Sequence, residues 1–431
     1  MTVQLVERIG KYEIQSLLGE GATSAVYLAR DPFAQRSIAL KRVFAEVLRD
    51  PQRAQAHRQQ LLTEASLASR LIHPHIVQVY DAAVTEREAY LAMEYVPGGT
   101  LEQFCRPENL LPFDRLIEIL FKCTRALEYA FLQGVTHRDI KPGNLLLSDP
   151  DGGEVKVSDF GAAIFHDADR TLVMGLGSPA YMSPEQVRDA TLNHQTDIYS
   201  LGVVMYQLLT GRLPFETDNH LSLAWKISNL DAPPPSSLRP EVPPALDEIC
   251  ARAMHKSLSA RYQSWLEFSH DLAQAARNRR LVAQSQPHSE THRFQTLRGM
   301  PFFRQFDDVQ IWEVLRLAEW REVAAGTLVM REGEPGHYVA ILAHGQAAVC
   351  SQGQRLHRLS VGECFGEMSL FGSHPGTRSA DVIADSDCTF VELRAEAVAR
   401  ASSGCQMRFY RAFLDTLAER LAAANVRLTH P

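Results

Sequence analysis

The stretch VTHRDIKPGNLLL, Val135 to Leu147, sets His137, Arg138, Asp139, Lys141 and Asn144 close together between apolar flanks. A carboxylate with an ammonium two residues on can take a proton from a hydroxyl beside a stabilised anion, and a nearby carboxamide offers an oxygen to a hard cation. Three further stretches give this cluster its meaning. In LLGEGATSAVYLAR, Gly19, Gly21 and Ser24 lie between strand-like flanks, where small or absent side chains let a turn lie over phosphates and donate backbone N–H groups. In SIALKRV, Lys41 sits in a strand of apolar residues, where an unpaired ammonium is costly to desolvate and needs an anion. Glu64, in the helical stretch QQLLTEASLASRL, is the candidate partner, and the pair would set Lys41 on nucleotide phosphates. In VKVSDFGAA an alternating run ends at Asp159, a strand-end carboxylate with Phe160 and Gly161 behind it, suited to Mg²⁺.

Taken in chain order, the Gly-rich turn, strand lysine, helix glutamate, His-Arg-Asp loop and Asp-Phe-Gly specify phosphoryl transfer. Asp139 would orient the attacking hydroxyl and accept its proton, Lys141 would steady the transferring group, and Asn144 and Asp159 would hold magnesium across the phosphates of ATP.

Strand-like stretches near the N-terminus give way to helical patterns such as FDRLIEILFKCTRALEYAFLQG, where Leu116, Ile119, Leu120, Cys123, Leu127 and Phe131 share one apolar face. That half reads as a small sheet-rich lobe plus a larger helical one. Polarity rises over ARNRRLVAQSQPHSETH, Ala276 to His292, which reads as a linker with no helical period after Leu281. Beyond it, short β-patterned runs recur between glycines at 326, 333, 336, 345, 353, 362 and 366, with helices at either end: a β-roll.

In SVGECFGEMSLFGSHPGTRSADVIA, Gly362 and Gly366 permit a tight turn into a short helical FGEMSLF, whose N-terminal amides could face an anion. Arg378 suits a phosphodiester through forked donors, Glu367 is placed to accept from a sugar hydroxyl, and Ser379 adds a hydroxyl beside the phosphate or base. Arg378 and Glu367 could instead form a structural ion pair. The last stretch, CQMRFYRAFLDTLAERLAAANVRL, places Met407, Tyr410, Phe413, Leu414, Leu417 and Leu421 on one helical face, which could cap a ligand, pack on the roll or pair with its twin in a homodimer.

A chain of 431 residues favours two or three domains. With 45% apolar and 22% charged residues and no run of eighteen uncharged apolar ones, no membrane span is expected, and the charged N-terminus lacks a secretory signal, so a cytoplasmic location is expected. Seven scattered cysteines without a Cys-x-x-Cys pair suggest neither disulfides nor zinc, and a net charge of −7 argues against nucleic acid as the main ligand.

From Gly10 to about Ala275 the chain resembles the eukaryotic-like serine/threonine protein kinases of bacteria. The resemblance implies a bilobal fold and places Val26, Ala39, Met93, Glu94 and Val96 among the nucleotide-binding residues, Met93 as gatekeeper and Glu94 to Val96 as hinge. It implies further that Lys141 marks the serine/threonine type, that Glu185 pairs with Arg261, and that Asp197 steadies the catalytic loop. GSPAYMSPEQ resembles the end of an activation segment, with Ser178 near the substrate pocket. Arg138 would pair with a phosphate there, and Thr171 is the expected autophosphorylation site. Ser183, standing where Ala is usual before Pro-Glu, is a departure that removes no catalytic atom.

From Leu297 to Asn425 the chain resembles cyclic-nucleotide-binding domains of the catabolite-activator type, with Gly366, Glu367, Arg378 and Ser379 as the effector-binding set. The expected fold is therefore α+β: a bilobal kinase over 10–275, a linker over 276–296, and a jelly-roll domain with flanking helices over 297–425. The expected function is a Mg-ATP-dependent kinase acting on protein Ser/Thr and regulated by cAMP or cGMP, with no DNA partner. Two alternatives stand beside it: a kinase whose C-terminal domain is a ligand-free dimerisation or interaction module, and a pseudokinase nucleotide sensor.

Overall fold

In the computed structural model the described residues are 7–21, 23–49, 58–59, 61–63, 65–66, 70–85, 88–149, 154–160, 164–165, 179–217, 219–283, 290–367 and 376–429. The chain divides into two compact units, Met1–Ser285 and Gln286–Pro431.

The first unit opens with β1 (Arg8–Ile9), β2 (Tyr12–Glu20), β3 (Ser24–Asp31), β4 (Arg36–Val43), β5 (Val79–Val84) and β6 (Ala89–Glu94), an antiparallel sheet in the order β1-β2-β3-β4-β6-β5. The β3–β4 turn is fixed locally: Asp31 Oδ1 accepts from the N–H groups of Phe33 and Ala34, both at 3.0 Å, and Gln35 takes a φ of +53°. Those amide bonds hold the Asp31 carboxyl below its ordinary value. The resulting register sets Lys41 opposite Val26 on β3 and Leu91 on β6. A slip of one residue would turn Lys41 to the other face of the sheet.

After the short helix α1 (Ala45–Arg49), the rest of this unit is mostly helical: α2 (Phe113–Leu132), α3 (Pro184–Val187), α4 (His194–Thr210), α5 (His220–Asn229), α6 (Pro244–Ala253) and α7 (Trp265–Ala283). The face read from the sequence is the one α2 buries, with Leu116, Ile119, Leu120, Cys123 and Leu127 in the core and Phe131 against it. Helix α4 is buried on every side from Gln195 to Tyr206, as an apolar helix at the centre of a core must be. The Asn193 side chain caps its start, accepting from Gln195 N–H at 2.8 Å, and Gly211 at φ +72° ends it. Two short ribbons frame the polar cluster: β7 (Val135–Thr136) with β10 (Ile164–Phe165), and β8 (Leu145–Leu147) with β9 (Val155–Val157).

Among its described residues the second unit holds α8 (Glu290–Gly299), α9 (Asp308–Leu317), eight strands, α10 (Ala395–Arg400) and α11 (Ser403–Thr429). The strands β11 (Glu319–Val323), β12 (Leu328–Met330), β13 (Tyr338–His344), β14 (Ala347–Ser351), β15 (Gln354–Leu359), β16 (Cys364–Phe365), β17 (Asp381–Ala384) and β18 (Cys388–Arg394) form two antiparallel sheets, ordered β11-β18-β13-β16 and β12-β17-β14-β15. Leu342, Phe365 and Phe390 of one sheet share a core with Met330, Leu359 and Val382 of the other. The chain is thus α+β, with sheet and helix in both units.

Two details differ from the sequence reading. The loose linker expected from Ala276 is helical through Ala283, and helix resumes at Glu290; Ala, Arg and Leu are strong helix formers and carry α7 onward. The apolar face assigned to the last helix is two faces. Cys405, Phe409 and Phe413 are buried, with the Phe413 ring 5.0 Å from that of Phe302, while Met407, Tyr410, Leu414 and Leu421 are exposed.

Candidate active site and ligand pocket

The polar loop between β7 and β8 is organised from beneath by Asp197 in the first turn of α4. Its two carboxylate oxygens accept from the backbone N–H groups of His137 and Arg138, both at 2.7 Å. Burial pushes the Asp197 carboxyl up, against those amides and the nearby Arg138 charge. Arg138 is held at φ +69°, an uncommon conformation that these two bonds support. The His137 ring accepts from Asp139 N–H at Nδ1 (3.2 Å) and faces the Ser158 carbonyl with Nε2 (2.9 Å). A carbonyl only accepts, so the proton sits on Nε2. The same ring lies 4.6 Å from Phe160, which is buried in the core.

On that floor, Asp139, Lys141 and Asn144 converge. Asp139 Oδ2 accepts from Lys141 Nζ at 2.7 Å and from Asn144 Nδ2 at 3.1 Å, and Asn144 Nδ2 also reaches the Asp139 carbonyl at 2.8 Å. Oδ1 of Asp139 has no partner among the described residues. The Asn144 amide nitrogen is committed to Asp139, which leaves its Oδ1 as the oxygen for other use.

Asp159 follows β9 at φ +61° and takes Lys41 Nζ on Oδ1 at 2.9 Å, across 118 residues of sequence. Burial pushes this carboxyl up, but Lys41, with Lys141 behind it, outweighs that and holds it at about 2. A depressed folded value stabilises the fold above the ordinary carboxylate range, and that contribution is lost as pH falls from about 4 through 2. Carbon-13 NMR of the Asp159 carboxyl is expected to give a midpoint near 2 that rises in Lys41→Met.

Gly19 lies near the end of β2, opposite Val26, and Gly21 opens the β2–β3 turn, its N–H donating to Ser24 O at 2.8 Å. A side chain on Gly19 would meet nothing within 4 Å, so packing of the described fold does not call for glycine there. Val26 faces Lys41 across the ladder, and Ala39 lies opposite both Leu28 and Met93. Val96 is nearly buried. The side chain of Glu94 is engaged by Lys156 at 3.0 Å, and its N–H donates to Gln78 O, so only its carbonyl remains for a ligand. Glu64, Gly161, Thr171 and Ser178 lie outside the described residues.

Glu185 and Arg261 form the ion pair that the family resemblance implied, bidentate at 2.7 and 3.1 Å and buried. Thr196 Oγ1 donates to Glu185, and Arg261 also donates to the carbonyls of Gln195 and His255. Sequence reasoning missed two partners here. Ser183 caps α3, accepting from Gln186 N–H at 3.3 Å while its own N–H donates to Gln186 Oε1. Gln186 Nε2 then donates to the Arg138 carbonyl at 2.9 Å, tying α3 to the polar loop. The Ser-x-x-Gln spacing signals the capping box, but nothing in the sequence points to the tie.

In the second unit a cavity of about 930 Å³ is lined by Gly366, Glu367, Arg378 and Ser379 together with Thr416 and Arg420 of α11. Gly366 sits at φ +82°, and a Cβ there would meet Arg378 Nη1 at 2.5 Å, so only glycine fits. Arg378 is buried, donates to the carbonyls of Gly366 (2.9 Å) and Tyr338 (2.8 Å), and lies 4.7 Å from the Tyr338 ring. Burial draws its pKa down. The ion pair of Glu367 is with Arg420 rather than with Arg378. Of the expected FGEMSLF helix, residues 365–371, Phe365 instead ends β16, and 368–371 lie outside the described residues.

Residues 12–284 match the family described as "Protein kinase domain", and residues 320–403 match "Cyclic nucleotide-binding domain". The chain belongs to the protein kinase domain family. Its kinase domain is of the eukaryotic-like serine/threonine type found in bacteria and is fused to a cyclic-nucleotide-binding domain. It is 37% identical over 270 residues to serine/threonine-protein kinase PknB of Mycolicibacterium smegmatis, covering 61% of this chain and 42% of that protein. Serine/threonine-protein kinase PksC of Streptomyces coelicolor is 35% identical over 267 residues (59% and 47%). A probable serine/threonine-protein kinase of Clostridium acetobutylicum is 33% identical over 270 (62% and 40%). The chain spans less than half the length of these relatives.

Proposed function

We propose that this chain is a Mg-ATP-dependent protein serine/threonine kinase whose second domain binds a cyclic nucleotide that regulates it. The observation that carries the first part is the convergence of Asp139, Lys141 and Asn144 beside an Asp159–Lys41 pair. In this reading the substrate hydroxyl docks on the open Oδ1 of Asp139, which accepts its proton as the oxygen attacks the γ-phosphorus and the bond to ADP breaks. Lys141, already on Oδ2, steadies the negative charge that moves past it. Lys41 contacts ATP phosphates from β4, with Gly19, Gly21 and Ser24 above them, and Val26, Ala39, Met93 and the Glu94–Val96 backbone receive adenine. An ionised Asp159 carboxylate and the spare Asn144 oxygen form a hard donor set that fits Mg²⁺. When bound, Mg²⁺ neutralises phosphate charge.

Arg138 supports a phosphorylated activation segment. It is partly buried, burial draws its pKa down, and its Nε has no partner among the described residues, so a phosphate on Thr171 would supply the missing anion.

For the second domain, the buried Glu367 facing the same cavity as Arg378 and Ser379 supports a sugar hydroxyl at one end and a cyclic phosphate at the other. The exposed Met407, Tyr410, Leu414 and Leu421 are spaced by three, four and seven residues, as along the seam of a two-stranded coiled coil, which supports a homodimer. Free thiols at all seven cysteines suit a reducing cytoplasm.

The test is calorimetric titration of the full chain with cAMP and cGMP, followed by phosphorylation of a generic basic protein with and without the nucleotide that binds. Transfer to Ser/Thr that changes several-fold with nucleotide, and phosphopeptides containing Thr171, are expected. Transfer that ignores a bound nucleotide would refute regulation, and an absence of transfer would refute the kinase reading.

A further inference from the structure

Glu367 is 2% exposed, and its two carboxylate oxygens are treated differently. Oε1 accepts from Nη1 of Arg420 at 2.5 Å, and Nη2 of the same guanidinium donates to the backbone carbonyl of Cys364. Oε2 is buried with no partner among the described residues. One planar fork therefore bridges the strand that leads into Glu367 and the Glu367 side chain itself, which fixes the carboxylate's orientation relative to its own backbone. Arg420 is held in turn by the seating of α11: the Phe413 ring packs on Phe302, and Gln305 Nε2 donates to Asp415 at 3.3 Å.

We propose that Arg420 is a positioning residue for the effector site: it occupies one oxygen of Glu367 so that the other is presented, undonated, to a ligand hydroxyl. This rests on the reading of the cavity as a cyclic-nucleotide site and adds to it what makes Glu367 selective. A buried carboxylate oxygen lacking a donor strongly favours a ligand that brings one, so the ribose 2′-hydroxyl is the group Arg420 indirectly selects. By linkage, a ligand that engages Oε2 strengthens the hold of Glu367 on Arg420 and so the seating of α11. The helix thereby senses occupancy from its own side of the carboxylate, without touching the ligand's hydroxyl.

The experiment is calorimetry on the full chain with cAMP, cGMP and their 2′-deoxy analogues, comparing the parent with Arg420→Ala, Arg420→Lys and Glu367→Gln, each checked by thermal melting. The parent is expected to prefer the ribose form over the 2′-deoxy form by roughly ten- to a hundredfold. Arg420→Ala should collapse that ratio by weakening the ribose form alone. Arg420→Lys should restore part of it, since the charge returns without the fork. A ratio unchanged in Arg420→Ala, equal weakening of both forms, or tighter binding of the ribose form would overturn the proposal; the last would make Arg420 a competitor for Glu367. A parent that binds neither nucleotide would overturn the effector-site reading and this inference with it.

Discussion

Replacing Asp139 with Asn is expected to slow phosphate transfer to protein serine by about 10²–10⁴-fold, the contribution typical of a positioned general base. The substitution is close to isosteric. Lys141 Nζ and Asn144 Nδ2 both donate to Asp139 Oδ2, and an amide oxygen accepts both bonds, so the local geometry survives. What disappears is a basic oxygen at Oδ1, where the proton of the hydroxyl is to go. ATP affinity should therefore stay close to that of the parent, because in the proposed arrangement Asp139 meets the hydroxyl and not the nucleotide. Asp159→Asn should behave differently. It removes the charge that holds Lys41 and the anionic member of the Mg²⁺ donor set, so the Mg²⁺ requirement should rise along with the fall in rate. Single-turnover transfer of labelled phosphate, run beside nucleotide-binding calorimetry over a Mg²⁺ series, separates the two. An Asp139→Asn chain that transfers phosphate at the parent rate would remove Asp139 from the chemistry.

The cluster proposed to carry the chemistry was visible in the sequence as a cluster because its spacing along the chain is itself restrictive. Asp139, Lys141 and Asn144 sit within one loop, and that loop closes on itself through bonds a few residues long. The apolar face of α2 was legible for a similar reason, since a helical period repeated over five turns fixes one direction. Pairings between distant stretches were not legible. Gln186 reaches the Arg138 carbonyl across 48 residues and Arg420 reaches Glu367 across 53, and neither partner carries a local pattern that names the other. The last helix shows the same limit in a milder form. Its apolar residues were counted as one face, but the aromatic cluster of Phe302, Phe306 and Phe409 selects Phe413 for burial and leaves Leu414 to solvent. Polar composition misled at 276–283, where the intrinsic helix preference of Ala, Arg and Leu outweighs the lack of an apolar stripe.

Arg261→Ala is expected to cost the first unit about 3–5 kcal/mol, because it leaves the Glu185 carboxylate buried with Thr196 as its remaining side-chain donor. For a unit of this size that lowers the melting temperature by on the order of 10 °C. The pH dependence gives an independent check. In the parent, burial pushes the Glu185 carboxyl up and the Arg261 guanidinium more than offsets it, so the folded value lies below the ordinary 4.5. The pair's contribution is then complete above that pH and is lost as pH falls through the folded value. In Arg261→Ala burial acts unopposed, the folded value rises, and the carboxyl can protonate to escape its cost. The stability gap between parent and variant should therefore narrow as pH is lowered from 7 toward 4. A gap that stays constant would mean that lost packing of the Arg261 stem, and not an uncompensated charge, sets the cost. Replacing both partners with apolar residues, Glu185→Leu with Arg261→Met, should recover much of the loss, since no charge is then left buried. Recovery of stability need not bring recovery of activity. Glu185 is adjacent to Gln186, whose amide holds the Arg138 carbonyl, so the ion pair anchors the short helix that braces the loop bearing Asp139. A double variant that melts like the parent but transfers phosphate more slowly would show that this buried pair serves the alignment of the loop beyond its contribution to the fold.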